Sequence, residues 1–301
     1  MVPKSLVRIW GVALVLVAWS AAAQAFTAST NVALVPNADG EDTSAGSLPT
    51  SNSAFTGITF TDLALADVSA AKLAGKDTVV LNQVCDPINQ LSDTQRTAIL
   101  DFVSAGGKLI IYDSDACGDI PVDYSWLPFP LMTNSPGATG STGGTLTIVE
   151  ENALSSNNKP SASFVDTVAI PTDTDAVGDA NVMLTKDRHW CGDMDATNVN
   201  NVTGFVHAYA LFGSGIIIYN GLDTDDMGSA TDPGATDGEG NLARVWLLEL
   251  KLANASTLVC SAPVAGGTHA APAMGASALG GLFVLLLLSG ARLASRRVGL
   301  R

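Results

Sequence analysis

Asp77-Thr-Val-Val-Leu-Asn82 and Lys108-Leu-Ile-Ile-Tyr-Asp113 decide the fold, together with the segment between them. Each is a short continuous apolar run bounded by polar residues, the pattern of a parallel strand covered on both faces. From about Leu91 to Ala105 the chain reads as a helix. Ser92 is its N-cap, and Gln95 three residues later completes a capping box. Ile99, Leu100 and Val103 recur at helical spacing, and Gly106-Gly107 ends the helix in a left-handed turn. Strand, capped helix, Gly-Gly and strand make a βαβ unit.

Two further runs repeat the strand pattern, Asn31-Val-Ala-Leu-Val-Pro36 and Gly215-Ile-Ile-Ile-Tyr-Asn220. Thr59-Phe-Thr-Asp62 adds an edge strand. A last helix is expected from about Leu242 to Leu252, with Val245, Leu248 and Leu252 on one side. The expected fold is therefore α/β, an open and mostly parallel sheet of flavodoxin-like type. Residues 116–200 show no such pattern and are expected to form a loop-rich insertion. Within them Tyr124, Trp126 and Trp190 either line a binding face or serve as core.

The two ends read as addresses. Lys4 and Arg8, an apolar stretch from Trp10 to Trp19, and Ala23-Gln24-Ala25 form a secretory signal peptide cleaved by signal peptidase after Ala25. Residues 26–260 form the external domain and Ser261 to Ala273 a flexible Ala/Gly/Pro-rich linker. Met274 to Ala291 carries no charge and is long enough for a short transmembrane helix. Arg292, Arg296, Arg297 and Arg301 follow in a basic tail, residues 292–301, that holds this end in the cytoplasm. The expected location is the cell surface or cell membrane, with the domain outside.

Of the 15 basic residues, six lie in these two ends, whereas all 29 acidic residues lie between them. The external part thus has nine basic residues and a net charge of −20. Nucleic acid is excluded as a partner, because phosphate neutralisation needs clustered Lys and Arg. The acids cluster after two of the strands, in Asp113-Ser-Asp115-Ala-Cys-Gly-Asp119 and in Asp223-Thr-Asp225-Asp226. Ligand sites in open α/β sheets lie at those strand ends. Asp113, Asp115, Asp119, Asp223, Asp225 and Asp226 are the candidate ligands for Ca²⁺, which takes about six to eight oxygens. The alternative is a solvated acidic turn. Asp187, Asp193 and Asp195 form a weaker set around Cys191. Of the four cysteines, Cys85 and Cys117 follow neighbouring strand candidates and pair on that reading, leaving Cys191 with Cys260, although four cysteines allow three connectivities.

Leu73-Ala-Gly-Lys-Asp-Thr-Val-Val-Leu-Asn82, the capped helix, Gly106-Gly107-Lys-Leu-Ile-Ile-Tyr112 and the closing Gly213-Ser-Gly-Ile-Ile-Ile-Tyr-Asn-Gly-Leu222 resemble class I glutamine amidotransferase-like domains, especially ThuA-like ones. The resemblance implies a nucleophilic Cys on a strained turn after the strand and a His after the late strand. Ser114 stands where that Cys would be, between two carboxylates and without flanking glycines. No His follows Asn220. His207, expected on a strand paired through the Phe212–Gly215 turn, is the base for a Ser114 nucleophile on the rival reading. The favoured expectation is a non-catalytic domain for binding, adhesion or matrix structure. The alternative is a cell-surface hydrolase or carbohydrate-active enzyme using Ser114. The C-terminal tail, from Pro272-Ala-Met274 to Arg296-Arg297, resembles PEP-CTERM and IPTL-CTERM sorting signals of bacteria. That resemblance implies a sorting enzyme as a further partner.

Overall fold

A parallel strand must find apolar cover on both faces, and the four apolar runs do so in one sheet. In the computed structural model, the described residues are 26–36, 48–84, 86–113, 122–134, 145–148, 180–197, 201–222, 232–233 and 238–253. The elements run β1 (Asn31–Val35), β2 (Thr59–Asp62), α1 (Ala70–Leu73), β3 (Thr78–Asn82), α2 (Pro87–Gln90), α3 (Asp93–Ser104) and β4 (Lys108–Tyr112). Then come β5 (Leu131–Asn134), β6 (Thr145–Ile148), β7 (Val182–Lys186), β8 (Cys191–Thr197), β9 (Thr203–Phe212), β10 (Gly215–Asn220) and α4 (Gly238–Lys251).

Eight strands form one sheet in the order β2-β1-β3-β4-β10-β9-β8-β6. The first five are mutually parallel. Their order is the 2-1-3-4-5 arrangement of flavodoxin-like sheets. The remaining three are antiparallel, β9 pairing with β10, β8 with β9 and β6 with β8. The fold is thus a mixed, mostly parallel α/β sheet. The stretch expected to be loop-rich instead supplies β5, β6, β7 and β8. Two of these extend the main sheet, and β5 pairs with β7 in a separate ribbon.

Alternation within each strand builds two cores. Val32, Leu34, Val80, Ile110, Ile216 and Ile218 meet Trp246 and Leu250 of α4 on one face. Ala33, Val35, Val79, Leu81, Leu109, Ile111 and Ile217 meet Ile99 and Val103 of α3 on the other. Each such side chain taken from water contributes roughly 1.5–3 kcal/mol. The capping box of α3 forms as expected, with Ser92 and Gln95 exchanging bonds. The turn from β9 to β10 places Gly213 at φ +60°, where a side chain is strained. The last helix starts four residues earlier than expected. Its buried stripe is Leu242, Val245, Trp246, Glu249 and Leu250, whereas Leu248 is only half-buried.

The end of α4 rests on a buried ammonium. Lys108, the first residue of β4, is fully buried. Its Nζ donates to the carbonyl oxygens of Glu249 (2.6 Å), Leu250 (2.8 Å) and Leu252 (2.9 Å). These are the orphan acceptors of a helix C-terminus, where a cation also meets the negative end of the helix dipole. Ser29 supports the same turn, its N–H donating to the Leu250 carbonyl at 2.8 Å.

Burial lowers the Lys108 pKa to about 7 from its ordinary 10.5, against the opposing pull of Asp77 and Glu249. Between those values the unfolded chain holds a proton at this position that the folded chain releases. Lys108 therefore makes stability rise with pH across that window. Urea unfolding at pH 7 and pH 9.5 measures the slope, and the K108M variant is expected to flatten it.

Candidate functional site

The register of the parallel strands brings four polar residues to one level at the carboxyl end of the sheet. Asn82 pairs with Tyr112, Tyr112 with Asn220, and Asn220 with His207. All four are buried. Tyr112, Asn220 and His207 point toward α4, where they meet Glu249, itself 0% exposed. His207 Nε2 lies 3.0 Å from Glu249 Oε1. Asn220 Nδ2 donates to the same oxygen at 3.0 Å, and Tyr112 Oη donates to Oε2. Asn220 Oδ1 in turn accepts the Leu222 N–H at 3.0 Å. Burial, reinforced by the Glu249 charge and hydrogen bond, pushes the Tyr112 phenol well above its ordinary range. This network is a buried carboxylate supplied with three donors, as burial of such a group requires.

Asp113 follows Tyr112 and so faces the opposite side. It is 1% exposed. Its N–H donates to the Asn220 carbonyl at 2.9 Å, extending the β4–β10 ladder. Tyr219 Oη donates to Asp113 Oδ2 at 3.1 Å and lies 3.2 Å from the Asn181 carbonyl. Tyr124 packs edge-on against Tyr219, with ring centroids 6.3 Å apart. The Asn181 N–H donates to the Gly221 carbonyl at 2.8 Å. A Cβ at Gly221 would stand 2.0 Å from the Asn181 oxygen, so only glycine admits this approach. Asp113 thus joins the sheet to residues 122–134 and 180–183, which cover this end of β10.

One strained residue lies nearby. Gln83, directly after β3, is buried and has φ +52°. Its N–H donates to the Tyr112 carbonyl at 2.9 Å. A left-handed non-glycine residue costs roughly 1–2 kcal/mol.

Of the residues singled out in the sequence, Asp113, Tyr124, Trp126, Asp187, Trp190, Cys191, Asp193, Asp195 and His207 are described. His207 lies on β9 as expected, but its Nε2 is committed to Glu249. Cys191 is disulfide-bonded, with its partner outside the described residues. Ser114, Asp115, Cys117 and Asp119 after β4, Asp223, Asp225 and Asp226 after β10, and Cys85 after β3 also lie outside them. So do Cys260, the signal peptide, the linker, the transmembrane segment and the basic tail. The strands β3, β4 and β10 that lead to these groups are hydrogen-bonded neighbours. Asp187 is spent locally, accepting the His189 N–H at 2.9 Å and bonding its ring Nδ1. Tyr124 and Trp190 are core, and Trp126 is half-buried. Among the described residues, no group of three His, Cys, Asp or Glu side chains is placed to hold a metal ion. Nor is any described helix long and apolar enough to cross a membrane.

Glu249, Tyr112 and Asn220 were not among the sequence candidates. The one available signal was a glutamate four residues after Val245, within the apolar stripe of a helix.

No family model matches the chain, and no curated protein does. Solved structures similar to it include a ThuA-like protein from Bacteroides uniformis ATCC 8492, at 11% identity and TM-score 0.39, covering 73% of this chain and 92% of that one. A cytoplasmic protein from Salmonella typhimurium is similar at 11% identity and TM-score 0.42, covering 75% and 99%. Another, from strain LT2, is similar at 11% identity and TM-score 0.41, covering 73% and 98%.

Burial raises the Asp113 pKa from 3.8 to about 6, against hydrogen bonds from Thr133, Asn181, Tyr219 and Tyr124 that pull it down. The folded chain therefore holds a proton here that the unfolded chain loses, and stability falls as pH rises from 3.8 to about 6. The loss is on the order of 3 kcal/mol at the pKa-unit conversion. D113N keeps the shape without the charge. Its melting temperature relative to wild type is expected to rise between pH 4 and pH 7, which differential scanning fluorimetry checks. G221A is expected to be destabilised at every pH, because its methyl group collides with the Asn181 backbone.

Proposed function

We propose that this chain is an exported protein, tethered to the membrane by its C-terminal segment, whose α/β domain serves binding or surface structure rather than hydrolysis. The observation that carries this reading is how the polar groups at the carboxyl end are spent. Glu249 is saturated by Tyr112, Asn220 and His207, and Asp113 is enclosed by Tyr219 and the Asn181 segment. A nucleophilic serine needs a base within hydrogen-bond reach. The described histidine nearest that role holds a buried carboxylate on the α4 face. The acidic external composition and the two hydrophobic ends support export and tethering. Signal peptidase and a sorting enzyme are the processing partners on this reading.

An activity-based probe separates binding from hydrolysis. A fluorophosphonate applied to the full chain is expected to leave it unlabelled. Labelling that S114A and H207Q each abolish would show the hydrolase instead.

A further inference from the structure

We propose that Asn201 is a site of N-linked glycosylation, an inference that rests on the export reading above. Among the described asparagines, only Asn201 is followed at the second position by a hydroxyl residue, in Asn201-Val202-Thr203, with no proline between. That triplet is the acceptor pattern for N-linked glycans in exported proteins. Among the described residues, none buries it. Asn201 is exposed, in the connection between β8 and β9, and Thr203 is exposed as the first residue of β9.

The backbone at this position suits asparagine. Asn201 has φ +57°, a conformation that asparagine tolerates better than other side chains. The hairpin base is closed by the Thr197 and Thr203 hydroxyls, 2.6 Å apart. The last paired residues of β9 and β10 are His207 and Asn220, the Val206 carbonyl next accepts the Gly221 N–H at 2.7 Å, and Thr203, Gly204 and Phe205 pair with β8 beyond it. At about 3.3 Å per residue, the hairpin reaches roughly 13 Å past the last β9–β10 pair. The other described asparagines differ. Asn82, Asn181 and Asn220 are buried, Asn31, Asn52 and Asn89 are tied into hydrogen bonds, and Asn134 and Asn241 lie within β5 and α4 without the acceptor triplet.

The chemistry is a glycosyl transfer from a polyprenyl-diphosphate-linked oligosaccharide. The Asn201 Nδ2 forms a bond to C1 of the first sugar as the C1–oxygen bond to the diphosphate breaks. The amide loses one proton and the lipid diphosphate leaves. No oxidant or reductant takes part.

The test is mass spectrometry of the full chain isolated from the cells that make it, with external protease applied to intact cells in parallel. The peptide that follows Arg188 is expected to carry an oligosaccharide mass increment. Enzymatic release of the glycan in ¹⁸O water should convert Asn201, and not Asn198 or Asn200, to labelled aspartate. N201Q and T203A should both remove the increment, while T203S and N200Q should retain it. An unmodified peptide on a chain that external protease reaches overturns glycosylation and leaves the export reading standing. An unmodified peptide on a chain that protease cannot reach overturns both.

Discussion

Glu249 is a carboxylate removed from water, and such a group costs several kcal/mol unless donors stand ready for it. Its donors come from three adjacent strands at one level: Tyr112 on β4, Asn220 on β10 and His207 on β9. Side chains alternate along a strand, so a slip of one residue would turn any of them to the opposite face. The carboxylate would then be buried without its partner. The register of three strands and the rotation of α4 about its own axis are thereby linked through one side chain. Lys108 and Ser29 fix the same helix along its length, by holding its last carbonyls at the amino end of β4. An apolar residue at 249 would pack against the sheet but would not distinguish these registers.

The end of β4 divides its work between the two faces. Tyr112 reaches α4, and Asp113, one residue later, reaches the segments around Thr133 and Asn181. The two acids are solvated differently by the protein. Glu249 meets an imidazole, an amide and a phenol. Asp113 has only phenol, hydroxyl and amide neighbours, and burial outweighs them, raising its carboxyl pKa to about 6. Below about pH 6 a neutral Asp113 seats the covering segments against Gly221 without a buried charge, and above it the phenol, hydroxyl and amide neighbours must carry the carboxylate.

The parallel half of the sheet was legible because its strands are covered on both faces. Such strands must be apolar throughout, and Val79–Leu81, Leu109–Ile111 and Ile216–Ile218 are. Of the antiparallel half only β9 was legible, through its Phe212–Gly215 turn. Cys191-Gly-Asp-Met-Asp-Ala-Thr197 forms a seven-residue strand from small and acidic residues, with no run to mark it. Its strand character comes from pairing with β9, a tertiary effect that local sequence does not encode. The network at Glu249 was hidden for a related reason. Its partners are 29, 42 and 137 residues away in the chain, and each is individually unremarkable. Helical spacing correctly placed Val245 and Leu252 inward. It misplaced Leu248, because the buried stripe follows Leu242, Val245, Trp246 and Glu249.

Open α/β sheets bind ligands outside the carboxyl ends of their strands because helix N-termini and strand-end side chains converge there. Here that convergence is turned inward. A ligand approaching the ends of β4 and β10 on the α3 side would have to displace Tyr219 from Asp113 and Asn181 from Gly221. Each hydrogen bond lost without replacement costs about 1 kcal/mol or more. On the α4 side it would have to separate His207, Tyr112 and Asn220 from Glu249, leaving a buried charge unpaired at several kcal/mol. Weak binding energy cannot meet both costs, so on the proposed binding reading the polar interior at these strand ends is not itself the recognition surface. Of the two buried acids, Asp113 shapes stability with pH.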